Sequence, residues 1–168
     1  SVIRQYKLSL HFPKRVLHEA QAIGQEVKAE ERAGRVDCRS HQAVTIDPED
    51  AKDFDDAISL QRAGQGQWKL WVHIADVSHY VEQDSTLDDE ARSRGTSVYF
   101  PGRVLPMLPE RLSNGLCSLN PRVDRLVLSA ILELDAKGRV TGAEFTKGVI
   151  RSAHRMTYTE VARILEGP

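Results

Sequence analysis

Covalent or metal cross-links have little to work with in this 168-residue chain. Cys38 and Cys117 are its only cysteines, they stand far apart, and neither belongs to a Cys-x-x-Cys or has a partnering histidine spacing. Neither a disulfide framework nor a structural zinc site is expected, and two free thiols suit a reducing, cytoplasmic setting. Long apolar runs are also lacking. No stretch approaches the ~18 residues of a membrane span, and the opening Ser-Val-Ile-Arg-Gln-Tyr-Lys has no apolar signal-peptide core. The expectation is no secretion and no membrane. Aromatics make up 6% of residues, yet 40% are hydrophobic and 28% charged, which suits an ordinary globular chain and excludes disordered and collagenous classes. A single domain of this length buries roughly two-thirds of its unfolded surface, so a core forms without disulfides.

An excess of charge of either sign is missing too, for the formal net charge is −1. That balance hides a division. Residues 47–56 hold six carboxylates (Asp47, Glu49, Asp50, Asp53, Asp55 and Asp56) and one base, Lys52, while residues 92–155 carry 11 Lys and Arg against 5 Asp and Glu. An acidic knot beside a basic stretch suits a metal-using enzyme with a polyanionic substrate. By composition alone, scattered solvated charge is the favoured explanation.

Periodicity gives the outline. Val16, Leu17, Ala20, Ile23 and Val27 recur at helical spacing, so residues 13–34 read as a helix started by Pro13 and weakened at Gly24. The period then changes to two. Strands are expected at 43–46, 57–61, 68–77, 125–134 and 139–150, with reversing loops at 63–67 and 135–138. Leu70, Val72 and Ile74 alternate with Trp71, His73 and Ala75, which predicts a strand buried on both faces. Ser85 and Gly95 bracket a helix over 85–94, and Thr157-Tyr-Thr-Glu160 is a capping box that opens a last helix ending at Gly167-Pro168. Four prolines (Pro101, Pro106, Pro109 and Pro121) make 96–121 mostly loop. Hairpins outnumber crossovers, which favours an α+β fold with a mainly antiparallel sheet and flanking helices.

The informative stretch is Thr45-Ile-Asp-Pro-Glu-Asp-Ala-Lys-Asp-Phe-Asp-Asp-Ala57. Asp47 ends one strand and Asp56 begins the next, so the loop between them gathers carboxylates at one end of the sheet. Like charges at that density raise one another's pKa, and a hard divalent cation with all-oxygen ligands, magnesium or manganese, relieves the repulsion. Calcium of the EF-hand kind is rejected. Counted from Asp53, its sixth and twelfth positions want Gly and Glu, and the chain has Ile58 and Gly64. A phosphoaspartyl phosphatase would place Asp53-Phe-Asp55 after a hydrophobic strand, and Glu-Asp-Ala-Lys stands there instead. By the residues alone, a metal loop and a solvated acidic turn stand level.

The same stretch resembles the catalytic motif of the ribonuclease II/ribonuclease R (RNB) exoribonucleases. The likeness continues through Leu70-Trp-Val-His-Ile-Ala-Asp-Val-Ser-His-Tyr-Val81, Arg94-Gly-Thr-Ser-Val-Tyr-Phe-Pro101, Leu105-Pro-Met-Leu-Pro109 and Leu112-Ser-Asn-Gly-Leu-Cys-Ser-Leu-Asn-Pro121, in family order and spacing. It covers most of residues 36–165 and is closest to the ribonuclease R branch. The resemblance implies magnesium-dependent hydrolysis of single-stranded RNA from its 3′ end, releasing 5′-mononucleotides. By it, Asp47, Asp53 and Asp56 are metal ligands, Asp55 is the aspartate on which catalysis depends with Asp53 assisting, and Tyr99 stacks on a base near the scissile end. Glu49 and Asp50 do not match the essential set. Without the family, Tyr99 reads as a core aromatic between Val98 and Phe100. His73 and His79 lack a ligand spacing and read as structural, and Arg94, Arg103 and Arg122 are equally open to phosphate contact and to solvated surface.

The resemblance also implies that residues 36–168 are the N-terminal part of an RNB catalytic domain, with 1–35 a helical connector from a preceding cold-shock-type domain. The family's domain continues past the position of Pro168, where an arginine, a glutamate and an aromatic clamp lie, followed by an OB-type RNA-binding domain. Two other readings compete. One is a non-catalytic RNA-binding or scaffold fragment. The other, an unrelated metal-dependent phosphatase, lacks an identifiable His or Lys acid beside the cluster.

Overall fold

A computed structural model describes residues 2–6, 8–64 and 66–167. In chain order these form α1 (Val2–Gln5), α2 (Lys14–Ala22), β1 (Val36–Asp37), β2 (Val44–Asp47), β3 (Asp56–Gly64), β4 (Gln67–Ala75) and α3 (Thr86–Arg94). There follow β5 (Val98–Phe100), β6 (Arg103–Leu105), β7 (Asp124–Leu134), β8 (Val140–Arg151), β9 (His154–Thr157) and α4 (Tyr158–Glu166). Seven strands make one sheet in the order β1-β8-β7-β4-β3-β2-β9, and β5–β6 form a separate ribbon.

The sheet is mixed, which corrects the expectation of a mainly antiparallel one. The central run β8-β7-β4-β3-β2 is antiparallel, but β1 joins β8 and β9 joins β2 in parallel. Both edge strands are short, and each meets a partner remote in sequence, so no local turn signal announces them. The reversing loops of the two long hairpins lie where expected. Asp135 accepts the Gly138 amide, and Gly138 turns at φ +75°. The centre of the other loop, Gln65, lies outside the described residues, as does Pro168.

Helix boundaries follow their chemistry with one exception. The Ser85 hydroxyl accepts the Asp88 amide at the start of α3, and Gly95 stops it at φ +74°. At α4, Thr157 and Glu160 complete the reciprocal capping box. The helix expected over 13–34, however, ends at Ala22. Ile23 is already extended (φ −73°, ψ 134°), and beyond Gly24 only a single 3-10 turn forms, at Glu30–Arg32. The apolar spacing continues there without the helix, because Ile23 and Val27 still pack on the core from an irregular chain. Within the proline-rich stretch, the β5–β6 ribbon and a π turn at Leu112–Leu116 replace part of the expected loop.

Two cores flank the sheet. Val16, Leu87, Leu112, Leu116, Leu126 and Val149 are buried in one, and Cys38, Phe54, Trp71, Leu119, Val127 and Ile150 in the other. Each fully buried leucine, such as Leu112, contributes ~2–3 kcal/mol. Both cysteines are free and buried, as expected. On β4, Trp71, His73 and Ala75 are covered, but Ile74 on the opposite face is 47% exposed. It shares that face with Leu60, Leu128 and Phe145, the last 80% exposed. The expected burial of β4 on both sides is therefore realised on one side only. Among the described residues, no helix is long and apolar enough to cross a membrane.

Candidate active site

The acidic loop hangs between the ends of β2 and β3 and is held from three directions. From the side of the π turn, the Ser118 hydroxyl accepts the Phe54 amide (3.0 Å) and donates to the Lys52 carbonyl (2.8 Å), while the Leu119 amide donates to the Phe54 carbonyl (2.8 Å). From the end of β4, the Ala75 amide donates to the Asp55 carbonyl (2.9 Å). From β9, Arg155 Nη2 donates to the carbonyls of Pro48 (2.6 Å) and Glu49 (2.7 Å), with its guanidinium 5.6 Å from the centre of the Phe54 ring. Thr159 on α4 donates to the Glu49 carboxylate (2.5 Å), which leaves Glu49 a structural loop acid. Phe54 points into the core, so the aspartates on either side of it turn toward the surface.

The electrostatics reflect that gathering. Burial raises the pKa of Asp47, the charges of Asp56 and Asp53 raise it further, and Arg155 opposes them. Asp55 retains open surface, yet protein packed around its carboxyl withdraws enough water to raise its pKa, and Asp53, Asp56 and Asp47 add to the rise. All four family-matched aspartates thus sense one another. The pattern continues to the buried Cys117 thiol, pushed up to about 12 by burial and then by Asp55. One Asp47 carboxylate oxygen, Oδ2, is buried with no hydrogen-bond partner. An unpartnered oxygen in an all-carboxylate set fits the needs of a hard divalent cation. The set is gathered but not closed: among the described residues, no three His, Cys, Asp or Glu side chains stand in ligating arrangement.

Tyr99 lies on β5 and is 61% exposed, so it is not a core residue. Its hydroxyl donates to an Asp53 carboxylate oxygen (2.5 Å), and that bond pushes the phenol up to about 12. Its ring stands free beside the carboxylates. His73 is fully buried between Ser129 Oγ (2.7 Å) and Ser59 Oγ (3.3 Å), and His79 pairs with Glu31 (2.9 Å), so both are structural. Arg94 is committed as well. It bonds Glu90 and the carbonyls of Ser9, His11 and Pro106, and it covers the Phe12 ring.

Three participants escape a sequence reading. Among the described residues, Arg155 is the cation whose field opposes the repulsion on Asp47, and it carries no motif signal. Ser118 holds the loop through the loop's main-chain atoms, and Arg125 in turn bonds the Ser118 carbonyl. Ser118 does fall within the block Leu112–Pro121, which is the only hint available.

Known proteins resemble this chain over nearly its whole length. Ribonuclease R of Escherichia coli (strain K12) is 52% identical over 165 residues, covering 98% of this chain and 20% of that protein. The chain thus spans about a fifth of that relative's length. Mycoplasma genitalium RNase R in complex with double-stranded RNA superposes with a TM-score of 0.92 at 36% identity, covering 98% of this chain and 29% of that one. The same enzyme in complex with ribose methylated single-stranded RNA gives the same TM-score and covers 26% of that chain. The model of the RNB domain matches residues 35–168, the carboxylate loop and Tyr99 included, and the chain belongs to the RNB domain family.

Proposed function

We propose that this chain carries the carboxylate end of a 3′-to-5′ exoribonuclease site, which hydrolyses single-stranded RNA to 5′-mononucleotides with magnesium. The observation that carries this reading is the gathering of Asp47, Asp53, Asp55 and Asp56 at one end of the sheet, with mutual repulsion left unrelieved except by Arg155. Asp47, Asp53 and Asp56 would hold the ion, with manganese as the alternative to magnesium. Bound there, a divalent cation polarises a phosphate and makes hydroxide available near neutral pH. Asp55 is the carboxylate on which hydrolysis depends, with Asp53 assisting.

Tyr99 supplies the grip. Its hydroxyl is tied to Asp53, so its ring is fixed beside the carboxylates and offers a π-face to the base at the scissile end. Stacking of this kind is worth ~1–3 kcal/mol per base and does not read sequence. The relatives named ribonuclease R, and the RNA in the M. genitalium complexes, support RNA as the substrate. The arginine and the glutamate expected near the phosphate belong, by the family resemblance, to the part of the domain that follows the position of residue 168 there. Residues 1–168 alone should therefore bind magnesium weakly and show no processive degradation.

Full-length protein incubated with 5′-labelled single-stranded RNA and magnesium gives the test. Stepwise shortening from the 3′ end, abolished by EDTA, is expected. A band shift with no products would favour a non-catalytic RNA-binding role instead.

A further inference from the structure

We propose that Ser118, oriented by Arg125, is a positioning residue that sets the spacing of Asp53 and Asp55. The inference rests on the exoribonuclease reading above. Ser118 is wholly buried, and its one hydroxyl spans the chain on both sides of Asp53, accepting from the Phe54 amide and donating to the Lys52 carbonyl. The next residue continues the clamp, for the Leu119 amide donates to the Phe54 carbonyl (2.8 Å). A loop with four aspartates pushing one another apart opens unless its backbone is held. Here the holding group is neutral, so it fixes the loop without neutralising the carboxylates.

Arg125 explains why Ser118 stays in place. Its side chain is buried, Nε donates to the Ser118 carbonyl (2.7 Å) and Nη1 to the Asp124 carbonyl (2.8 Å). A guanidinium taken from water to bind main-chain oxygens loses hydration, and among the described residues it forms no carboxylate ion pair in return. Burial accordingly lowers its pKa, against the opposing influence of Tyr80, Cys117 and Asp124. A wholly apolar residue would have packed this corner at less cost. What Arg125 adds is a fixed direction for the Ser118 carbonyl, and hence for the hydroxyl on the same residue.

Ser129 offers a matched control. It is as deeply buried, on β7 of the sheet, and makes a side-chain bond of similar length, to His73, but it does not touch the loop. In full-length protein, Ser118→Ala and Ser129→Ala should lower the melting temperature similarly. Amide exchange at Phe54 should quicken about fivefold to tenfold in Ser118→Ala only, the scale of one lost hydrogen bond. Magnesium affinity and kcat should each fall about tenfold in Ser118→Ala, with KM for RNA held within about twofold. The near-isosteric Ser118→Cys, which keeps volume but loses a strong donor, should show the same pattern more weakly and covers the case in which the alanine variant does not fold. Unchanged Phe54 exchange, or identical behaviour of the two alanine variants, would overturn the positioning role. Quickened Phe54 exchange in a protein that neither binds magnesium nor cleaves RNA would keep the clamp and refute the exoribonuclease reading instead.

Discussion

Two groups of aspartates occupy the same end of one sheet and meet opposite fates. At the start of β7, Asp124 is ringed by Arg32 (2.9 Å), Arg39 (3.2 Å) and Arg151 (2.8 Å), and nearby Asp76 is buried against Arg35 (2.7 Å). Burial works against the charge on Asp124, but hydrogen bonds from Arg151 and Arg32 outweigh it and hold its carboxyl below the usual range. Between β2 and β3, Asp47 and Asp55 are raised instead, because burial and neighbouring acids act together. Asp124 and Asp76 tie the segment before β1 to the sheet. The loop aspartates are held by their backbone, and burial and neighbouring acids both oppose their charge. Compensated acids here build structure, and the uncompensated ones are those we propose as the metal site.

Breaking the first group should have the largest effect on stability. Arg35→Ala leaves the Asp76 carboxylate buried without its cation and with only the Ser78 hydroxyl as a side-chain donor, and it should cost ~3–5 kcal/mol in urea unfolding. A loss within the error of the measurement would mean that the pair is not what anchors this segment.

His73 isolates the contribution of burial. Burial, and then His41, pushes its pKa from 6.5 down to about 4. Below pH 6.5 the unfolded chain takes up a proton that the folded one refuses, so stability should fall between about pH 6.5 and 4, by ~3 kcal/mol in all, and then level off with respect to this group. Comparing urea unfolding of wild type and His73→Gln at pH 7 and pH 5 checks the sign. Parallel losses in both proteins would remove His73 from the account.

The two aspartate groups should then respond oppositely to the same substitution. Asp124→Asn removes the charge shared by Arg32, Arg39 and Arg151, of which Arg39 keeps Asp37, and should destabilise by ~1–2 kcal/mol. Asp55→Asn relieves repulsion and should stabilise the metal-free protein by ~1 kcal/mol, as substitutions at functional sites often do. Thermal melts in EDTA decide it, and a shared sign would dissolve the contrast. The smallest effect on rate is expected at Tyr99. Tyr99→Ala should leave hydrolysis running but change the length of the final oligonucleotide on a sequencing gel, and an unaltered product ladder would deny the ring its contact with the last bases.

What the sequence discloses about this molecule is what local chemistry controls. The Thr157 capping box, the Ser85 and Gly95 boundaries, the long hairpins and the strand ends at Asp47 and Asp56 all follow from neighbours a few residues apart. The parallel pairings of β1 with β8 and β2 with β9 depend on partners remote in the chain, and period-two patterns carry no direction. Helical spacing at Ile23 and Val27 misleads because an irregular chain can place the same side chains on the same core. Tyr99 sits between two apolar residues on a ribbon whose short strands leave it outside, so its neighbours suggest burial that does not occur. Ser118 and Arg155 act on carbonyls and amides of a distant loop, a kind of contact that leaves no periodic trace.

On the proposed function, the uncompensated carboxylates perform the chemistry. Full-length wild type and Asp55→Asn should be compared for hydrolysis of 5′-labelled single-stranded RNA in magnesium, with binding measured in parallel. The account predicts that the variant keeps its RNA affinity and falls below about a tenth of the wild-type rate, a deficit of at least ~1.4 kcal/mol. A variant that degrades RNA at close to the wild-type rate would contradict it.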